Sequence, residues 1–588
     1  MKKMMDFLKK CWKTRTAYAY AGLMLIACIL VYNLYFASGI NLMKTEEEKA
    51  AIESSRSEGK VTYGESNIIQ GDITDRNGIP LMYTEAQGEE ARYKDALAYT
   101  QAIGFANDYG DYLLAEENKS YLYDALSDTN KGCTIQTTLD SRLQEYCFGK
   151  LISQCKGDGT GDEGSIVIMD AKTGRILTWA FYPSFDVSEL TQAMKKLRSG
   201  ETGEEDTDLY WSDAVAEQLG KESERLISGG AGGLVEFAAG AAAGLAECEE
   251  TREAVEKTDP ANIHWTQVAE EELGSLTYPL LHSRMPGSVF KIVTSIGIIE
   301  KGQSCLDETV YDGTGYLDID GTQLPNAGGA VYGEVGFKEA FVKSINVYFA
   351  KKAIEDIGKT ALDAIAERCG IGSRFGFDFG DMVSNYAFED DDRQLARTAI
   401  GQQNVQLSAI QVAMITMGAA CDGRIAEPHM VQEIYRTKQK NSSQGSTYSK
   451  GEVVQTEKIN TDFMNIMSPE TSAVIQDAMV AMGDSLKEKT GLDLMVNGES
   501  CGIGCKTGTG QIDKASGGYS GYNNIWLTSY APADDPQYIV VVNRYGVDGK
   551  GESSYGATLF GDLIDIYNML FEDNAVNEQD TEGESGDV

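Results

Sequence analysis

At residue 17 the charged start of the chain gives way to an uncharged run of 21 positions, AYAYAGLMLIACILVYNLYFA, ending at residue 37. At about 1.5 Å of rise per residue, a helix of that length crosses a hydrocarbon layer about 30 Å thick. Lys2, Lys3, Lys9, Lys10, Lys13 and Arg15 precede it, against the single acid Asp6. The positive-inside rule then predicts a cytoplasmic tail (1–16), a retained single-pass anchor (17–37) and an extracytoplasmic remainder. A cleaved signal peptide fits less well, because the apolar run is long and no clear A-x-A site follows it.

Beyond the anchor, a Glu/Lys/Ser-rich linker runs to about residue 64. In SNIIQGDITDRNGIPL (66–81), Asp75-Arg76-Asn77-Gly78 supplies turn residues between apolar stretches, which predicts a hairpin. CTIQTTLDSRLQEYCFGKLI (133–152) reads as a strand running into a helix that begins near Asp140. SIVIMDAKTGRILTWAFYP (165–183) reads as two strands joined at Lys172-Thr173-Gly174, after a Gly-rich loop. Acidic stretches flank a Gly/Ala segment (229–247) too weakly apolar to span a membrane, so 190–270 reads as an insertion. Amphipathic helices and strands resume over about 277–571, interrupted by a Lys/Gln/Ser-rich loop near 437–452. The last 17 residues (572–588) carry seven acids and no base, which predicts a disordered acidic tail.

Composition narrows the function classes. The 588 residues hold 51 Lys+Arg against 90 Asp+Glu, a formal charge of −39, which repels phosphate backbones and argues against nucleic-acid binding. Only three histidines occur, so His-rich metal sites and a Ser-His-Asp triad have few candidates. Eleven cysteines include no C-x-x-C pair, which leaves zinc knuckles and thioredoxin chemistry without support.

Three short motifs carry the candidate chemistry. In Pro286-Gly287-Ser288-Val289-Phe290-Lys291, a Pro-Gly turn leads into an apolar helix and places Ser288 near its positive end. Residues three apart share a helix face, so Lys291 reaches Ser288. Packed among apolar neighbours, the lysine loses hydration and basicity, and its neutral amine can act as general base toward the serine. Ser57 and Lys60, and Ser153 and Lys156, repeat the spacing without both the turn and the helix. Ser344-Ile345-Asn346 is the one S-x-N in the chain; its hydroxyl can relay a proton, and its amide can both donate to and accept from a peptide. Taken alone, the tripeptide reads better as a helix N-cap. Lys506-Thr507-Gly508-Thr509-Gly510 lies in extended context with two further strands behind it, unlike the KTG copies at Lys172 (a hairpin turn) and Lys489 (a helix end). A strand edge there can pair with an extended peptide; Lys506 and the hydroxyls of Thr507 and Thr509 can meet its carboxylate, and Gly508 admits close backbone approach.

The conjunction of the three motifs, a set associated with β-lactamases and penicillin-binding proteins, makes the chain resemble a class B penicillin-binding protein, the monofunctional transpeptidase branch. GDITDRNGIPL, TTLDSRLQ, the 164–186 segment and IGQQNVQLSAIQVA (400–413) are similar to that family's other blocks. The resemblance implies an α+β fold: an N-terminal α+β pedestal (about 38–155) and a β-lactamase-like transpeptidase domain (160–571) of helices around an antiparallel sheet. It implies that Ser288 attacks the penultimate D-Ala carbonyl of a peptidoglycan stem peptide, with Lys291 accepting its proton. Ser344 passes a proton to the leaving amine, Asn346 holds the peptide, Lys506 and Thr507 steady the substrate, and Thr509 binds its carboxylate. The N–H groups of Ser288 and Thr509 form the implied oxyanion hole. β-Lactams are expected to acylate Ser288, no metal or cofactor is expected, and a SEDS-type glycosyltransferase with other division or elongation proteins is the implied partner set. Two departures stand out: His282-Ser283-Arg284 occupies the place of the family's Asn-Arg-Ala, and Gln70 that of an arginine. A β-lactamase lacks a recognisable deacylating glutamate here. A D,D-carboxypeptidase or a catalytically idle cell-wall scaffold remain as alternatives, while too few residues precede the catalytic domain for a glycosyltransferase domain.

Overall fold

A computed structural model of the chain describes residues 68–187 and 283–583, apart from short stretches at 87–88, 108–109, 125–128, 156–162, 183, 185, 403–404, 443–444, 514–518 and 550–551. The anchor read at 17–37, the linker after it and the 190–270 insertion lie outside the described residues. Among those described, no helix is long and apolar enough to cross a membrane.

Along the chain, β1 (Ile73–Thr74) and β2 (Pro80–Tyr83) form the expected hairpin. Asp75 Oδ1 accepts from the amides of Asn77 and Ile79, and Gly78 takes φ +81°, a left-handed conformation that a side chain would disfavour. Next come β3 (Arg92–Tyr93), α1 (Ala96–Ile103), β4 (Thr134–Thr137) and α2 (Ser141–Cys155), the last started by Asp140 accepting from the amides of Arg142 and Leu143. β5 (Glu163–Asp170) and β6 (Ile176–Tyr182) flank the Lys172-Thr173-Gly174 turn. After the undescribed stretch come α3 (Lys291–Glu300), α4 (Asn346–Lys352) and α5 (Ala409–Ala420). Then follow β7 (Val431–Ser442), β8 (Gly445–Thr456), α6 (Pro469–Thr490), β9 (Gly504–Asp513), β10 (Tyr519–Ala531), β11 (Tyr538–Asp548) and α7 (Glu552–Gly583).

The central sheet is antiparallel in the order β9-β10-β11-β5-β6. Its inner strands are apolar on both faces: Ile166–Met169 and Ile539–Val542 are all fully buried. Burying each such side chain contributes about 1.5–3 kcal/mol, which explains why alternation is absent there. Thr416 of α5 meets Thr528 of β10 at 2.6 Å on one face, and Tyr567 of α7 meets Ser529 at 3.0 Å on the other. Helices therefore sandwich the sheet, and β9 is left as one of its two edges.

Three expectations are corrected. The Lys/Gln/Ser-rich stretch near 437–452 is not a loop but most of the β7–β8 hairpin. That hairpin joins the N-terminal sheet, ordered β8-β7-β4-β1-β2-β3, so residues 38–155 do not build the pedestal sheet alone. β7 pairs with β4 some 300 positions upstream, and such non-local pairing lets polar, edge-located strands form without a strong local pattern. At the C-terminus, α7 runs on to Gly583, into the stretch expected to be disordered. Its first half buries Leu559, Phe560, Leu563, Ile566 and Tyr567, and between Gly561 and Gly583 there is neither glycine nor proline to stop it. Once a helix is nucleated by packing, each added residue costs little.

Candidate active site

The serine motif forms a tight helical turn, Gly287–Phe290, leading directly into α3. Ser288 is half-buried within it. Glycines let this turn sit directly on β9. A Cβ on Gly508 would lie 2.4 Å from Pro286 O, one on Gly510 2.7 Å from Met285 O, and one on Gly287 2.3 Å from Thr509 O. No side chain fits at such separations without moving backbone. Met285 O accepts from Asn524 Nδ2 at 2.7 Å and Trp526 Nε1 at 2.9 Å, which pins the entry to the turn onto β10.

Two lysines and the S-x-N segment meet beside that turn. Lys291 Nζ lies 2.7 Å from Ser344 O, 2.8 Å from Asn346 Oδ1 and 3.2 Å from Ser344 Oγ. Lys506 Nζ lies 3.0 Å from the same Ser344 Oγ and donates to Thr507 O at 3.0 Å. Ser344 Oγ therefore bridges two amines, neither of which has an ion pair with a carboxylate among the described residues. Burial pushes the Lys291 amine well below its ordinary pKa, and the nearby Lys506 charge pushes it further. Burial likewise brings Lys506 down to about 7. The rings of Phe349 and Phe341, with centroids 5.3 and 5.4 Å from Lys291 and Lys506, supply the apolar walls.

Ser344 is not the helix N-cap that its sequence suggests. It occupies the kink before α4 with φ +55°, a left-handed conformation that is uncommon outside glycine, and Ile345 takes the cap position. Strain of this kind is held by surrounding contacts, here the two lysines. Asn346 Nδ2 donates to Pro325 O at 2.9 Å, so both ends of its amide are engaged. Along β9 the alternation sends Lys506 and Gly508 to the face carrying Ser344 and the Ser288 turn. The Cβ atoms of Thr507 and Thr509 point to the opposite pleat, where Thr507 Cγ2 lies near Gly556 of α7. The other KTG copies are far from this chemistry: Lys172 pairs with Asp535, and Gly491 is the left-handed C-cap of α6.

Sequence reading missed two supports. Arg284 pairs with the buried Glu163 of β5 at 2.6 Å and stacks over Tyr545 at 4.4 Å, fixing the segment that enters the serine turn. Gln402 joins the backbone of β9 on both sides of Gly510, donating to Thr509 O and accepting from Gln511 N. Its position in the IGQQ block was the available signal. Gln70, a departure from the family pattern, is buried and donates to Ala106 O at 3.1 Å. Among the described residues no group of three or more His, Cys, Asp or Glu side chains is arranged to hold a metal ion.

The penicillin binding protein transpeptidase domain family matches residues 251–565. The peptidoglycan D,D-transpeptidase PbpA of Mycolicibacterium smegmatis is 22% identical over 541 residues, covering 88% of this chain and 90% of the relative. Stage V sporulation protein D of Bacillus subtilis is 27% identical over 312 residues, 52% of this chain but only 44% of the relative. Among solved structures, PBPA from Mycobacterium tuberculosis superposes with a TM-score of 0.59 at 20% identity, covering 86% of this chain and all of that one. Its penicillin G acyl-enzyme complex gives 0.55 at 20% identity over 84% of this chain and all of that one; at such identities the likeness shows the fold. The family match takes in more than half of the chain, which therefore belongs to the penicillin-binding transpeptidase family, with relatives consistent with its class B branch.

Proposed function

We propose that the protein is a peptidoglycan D,D-transpeptidase that cross-links stem peptides through a Ser288 acyl-enzyme and is acylated there by β-lactams. The observation that carries this reading is a buried amine at Lys291, without a carboxylate partner among the described residues and one helical turn from Ser288. A neutral amine has one lone pair and two N–H donors. Donating to Ser344 O and Asn346 Oδ1 leaves the lone pair to take the Ser288 proton. As the serine oxygen attacks the D-Ala carbonyl, the tetrahedral oxyanion would rest on the Ser288 and Thr509 N–H groups, a contribution of about 3–4 kcal/mol per donor in comparable sites. Lys291, Ser344 Oγ and Lys506 form a continuous chain of exchangeable protons, a route from the base to the departing amine of terminal D-Ala. A second stem peptide's amine then attacks the ester, forming the cross-link and returning the serine proton. Lys506, with its charge, suits the substrate carboxylate. The charge pattern of residues 2–37 supports a single-pass anchor with the catalytic unit outside, where its substrate is.

The test is labelling of the full chain with fluorescent penicillin, comparing wild type with Ser288→Ala. A stable band in the wild type, retained in membranes after alkaline washing and absent from the variant, is expected. Undiminished labelling of the variant would remove Ser288 as nucleophile, fast turnover of the wild-type label would favour a hydrolase, and release from membranes would remove the anchor.

A further inference from the structure

β9 is one of the two edge strands of the central sheet. In an antiparallel ladder each residue's N–H and C=O point to the same side, and successive residues alternate sides. Thr509 O and Gln511 N both meet Gln402, which is not a strand of that sheet: Gln402 Nε2 donates to Thr509 O at 3.1 Å and Gln402 Oε1 accepts from Gln511 N at 3.3 Å. Thr509 and Gln511 therefore present their backbone groups outward at the edge, and the Thr509 N–H points the same way. A primary amide offers a donor and an acceptor side by side, so one side chain copies what a neighbouring strand would supply.

The residue before it is tied to the serine turn. Gly287 N donates to Gly401 O at 2.9 Å, and a Cβ on Gly401 would lie 2.0 Å from Gly287 O. The dipeptide Gly401-Gln402 thus spans the backbone next to Ser288 and the backbone of Thr509, the two places from which oxyanion donors would come. We infer that Gln402 is a positioning residue for acyl transfer: it orients the Thr509 peptide so that its N–H aims at the attacked carbonyl, and it ends the stretch of strand edge on which an extended substrate can pair. This rests on the transpeptidase reading above. An oxyanion hole acts only where its donors are fixed before charge develops, so loosening one should slow the chemical step more than binding.

The test uses the full chain in detergent and stopped-flow acylation by penicillin, which separates non-covalent affinity from the acylation rate constant. Gln402→Ala removes both bonds. Gln402→Glu keeps an acceptor for Gln511 N but sets an oxygen against Thr509 O, and it serves alone should the alanine variant not fold. Both variants are expected to acylate about tenfold or more slowly, with affinity within about twofold of wild type and an unchanged melting temperature. The ester carbonyl stretch of the acyl-enzyme should move to higher frequency as its hydrogen bonding weakens. Wild-type acylation rates in both variants, or a loss confined to affinity with an unmoved carbonyl stretch, would overturn the inference. Failure of the wild type itself to be acylated would instead sink the transpeptidase reading, so the two failures are distinct.

Discussion

Lys291 and Lys352 are both withdrawn from water, 0% and 1% exposed, yet their surroundings drive their charges in opposite directions. Burial lowers the basicity of each. At Lys352, ion pairs with Glu308 and with Asp356, the latter 3.1 Å away, outweigh burial and raise the amine above its ordinary value. At Lys291 the neighbours are a carbonyl, a hydroxyl, an amide oxygen, an aromatic ring and a second lysine, so burial wins and the neutral form is favoured. The Lys291 amine meets the kink before the short helix α4 and that helix's first residue, and Lys352 is the last residue of the same helix. The same residue type is left neutral or held as a structural cation according to whether a carboxylate is within reach.

Removing the proposed base, Lys291, is the most severe way to break this contrast. Lys291→Ala should slow acylation of Ser288 by penicillin about 10²–10⁴-fold, the usual worth of a general base. Acylation within about threefold of wild type would move the base elsewhere. Next in size is the response to pH. As pH falls, Lys291 takes up a proton and loses its lone pair, so acylation should decline on the acid side. As pH rises through about 7, Lys506 loses its charge and its attraction for a ligand carboxylate. The second-order acylation rate by penicillin should then fall by up to about tenfold per unit. The methyl ester of the same penicillin has no carboxylate to lose, and its rate should stay level through that range. An identical alkaline decline for acid and ester would detach Lys506 from carboxylate recognition.

The chemistry was more legible in the sequence than its scaffolding. Ser288 and Lys291 lie within one helical turn, and a strand is recognisable from neighbours that alternate or run apolar, so those motifs could be placed locally. The Gly287, Gly508 and Gly510 contacts are also latent in the letters, since only glycine tolerates such approach, although which backbones would meet was not. Ser344's left-handed backbone follows from the packing of two lysines that lie 53 residues before and 162 residues after it. No local pattern encodes that. The β7–β8 hairpin and Gln402 were missed for the same reason: each acquires its role from a partner strand far away in the chain. Lys352, by contrast, carries Asp356 at i+4 in plain view, but no neighbouring residue signals that it would be buried.

That buried cation provides the smallest of the expected effects and the sharpest check on the contrast. Lys352→Met replaces the amine with a side chain of similar length and leaves Glu308 and Asp356 without it. Glu308 is 61% exposed and can return to water, while Asp356 is 27% exposed and loses more. The expected destabilisation is accordingly modest, about 1–2 kcal/mol in urea unfolding near neutral pH, well under that of a fully enclosed pair. Because folding raises the Lys352 pKa, its stabilisation is complete below the ordinary lysine value of 10.5 and fades as pH climbs through the folded-state value. The variant's deficit should therefore shrink in strongly alkaline solution, while penicillin acylation of the folded variant stays close to wild type. A deficit that is absent at neutral pH, or that grows with alkalinity, would mean that the two carboxylates do not hold Lys352 charged, and the contrast with Lys291 would reduce to burial alone.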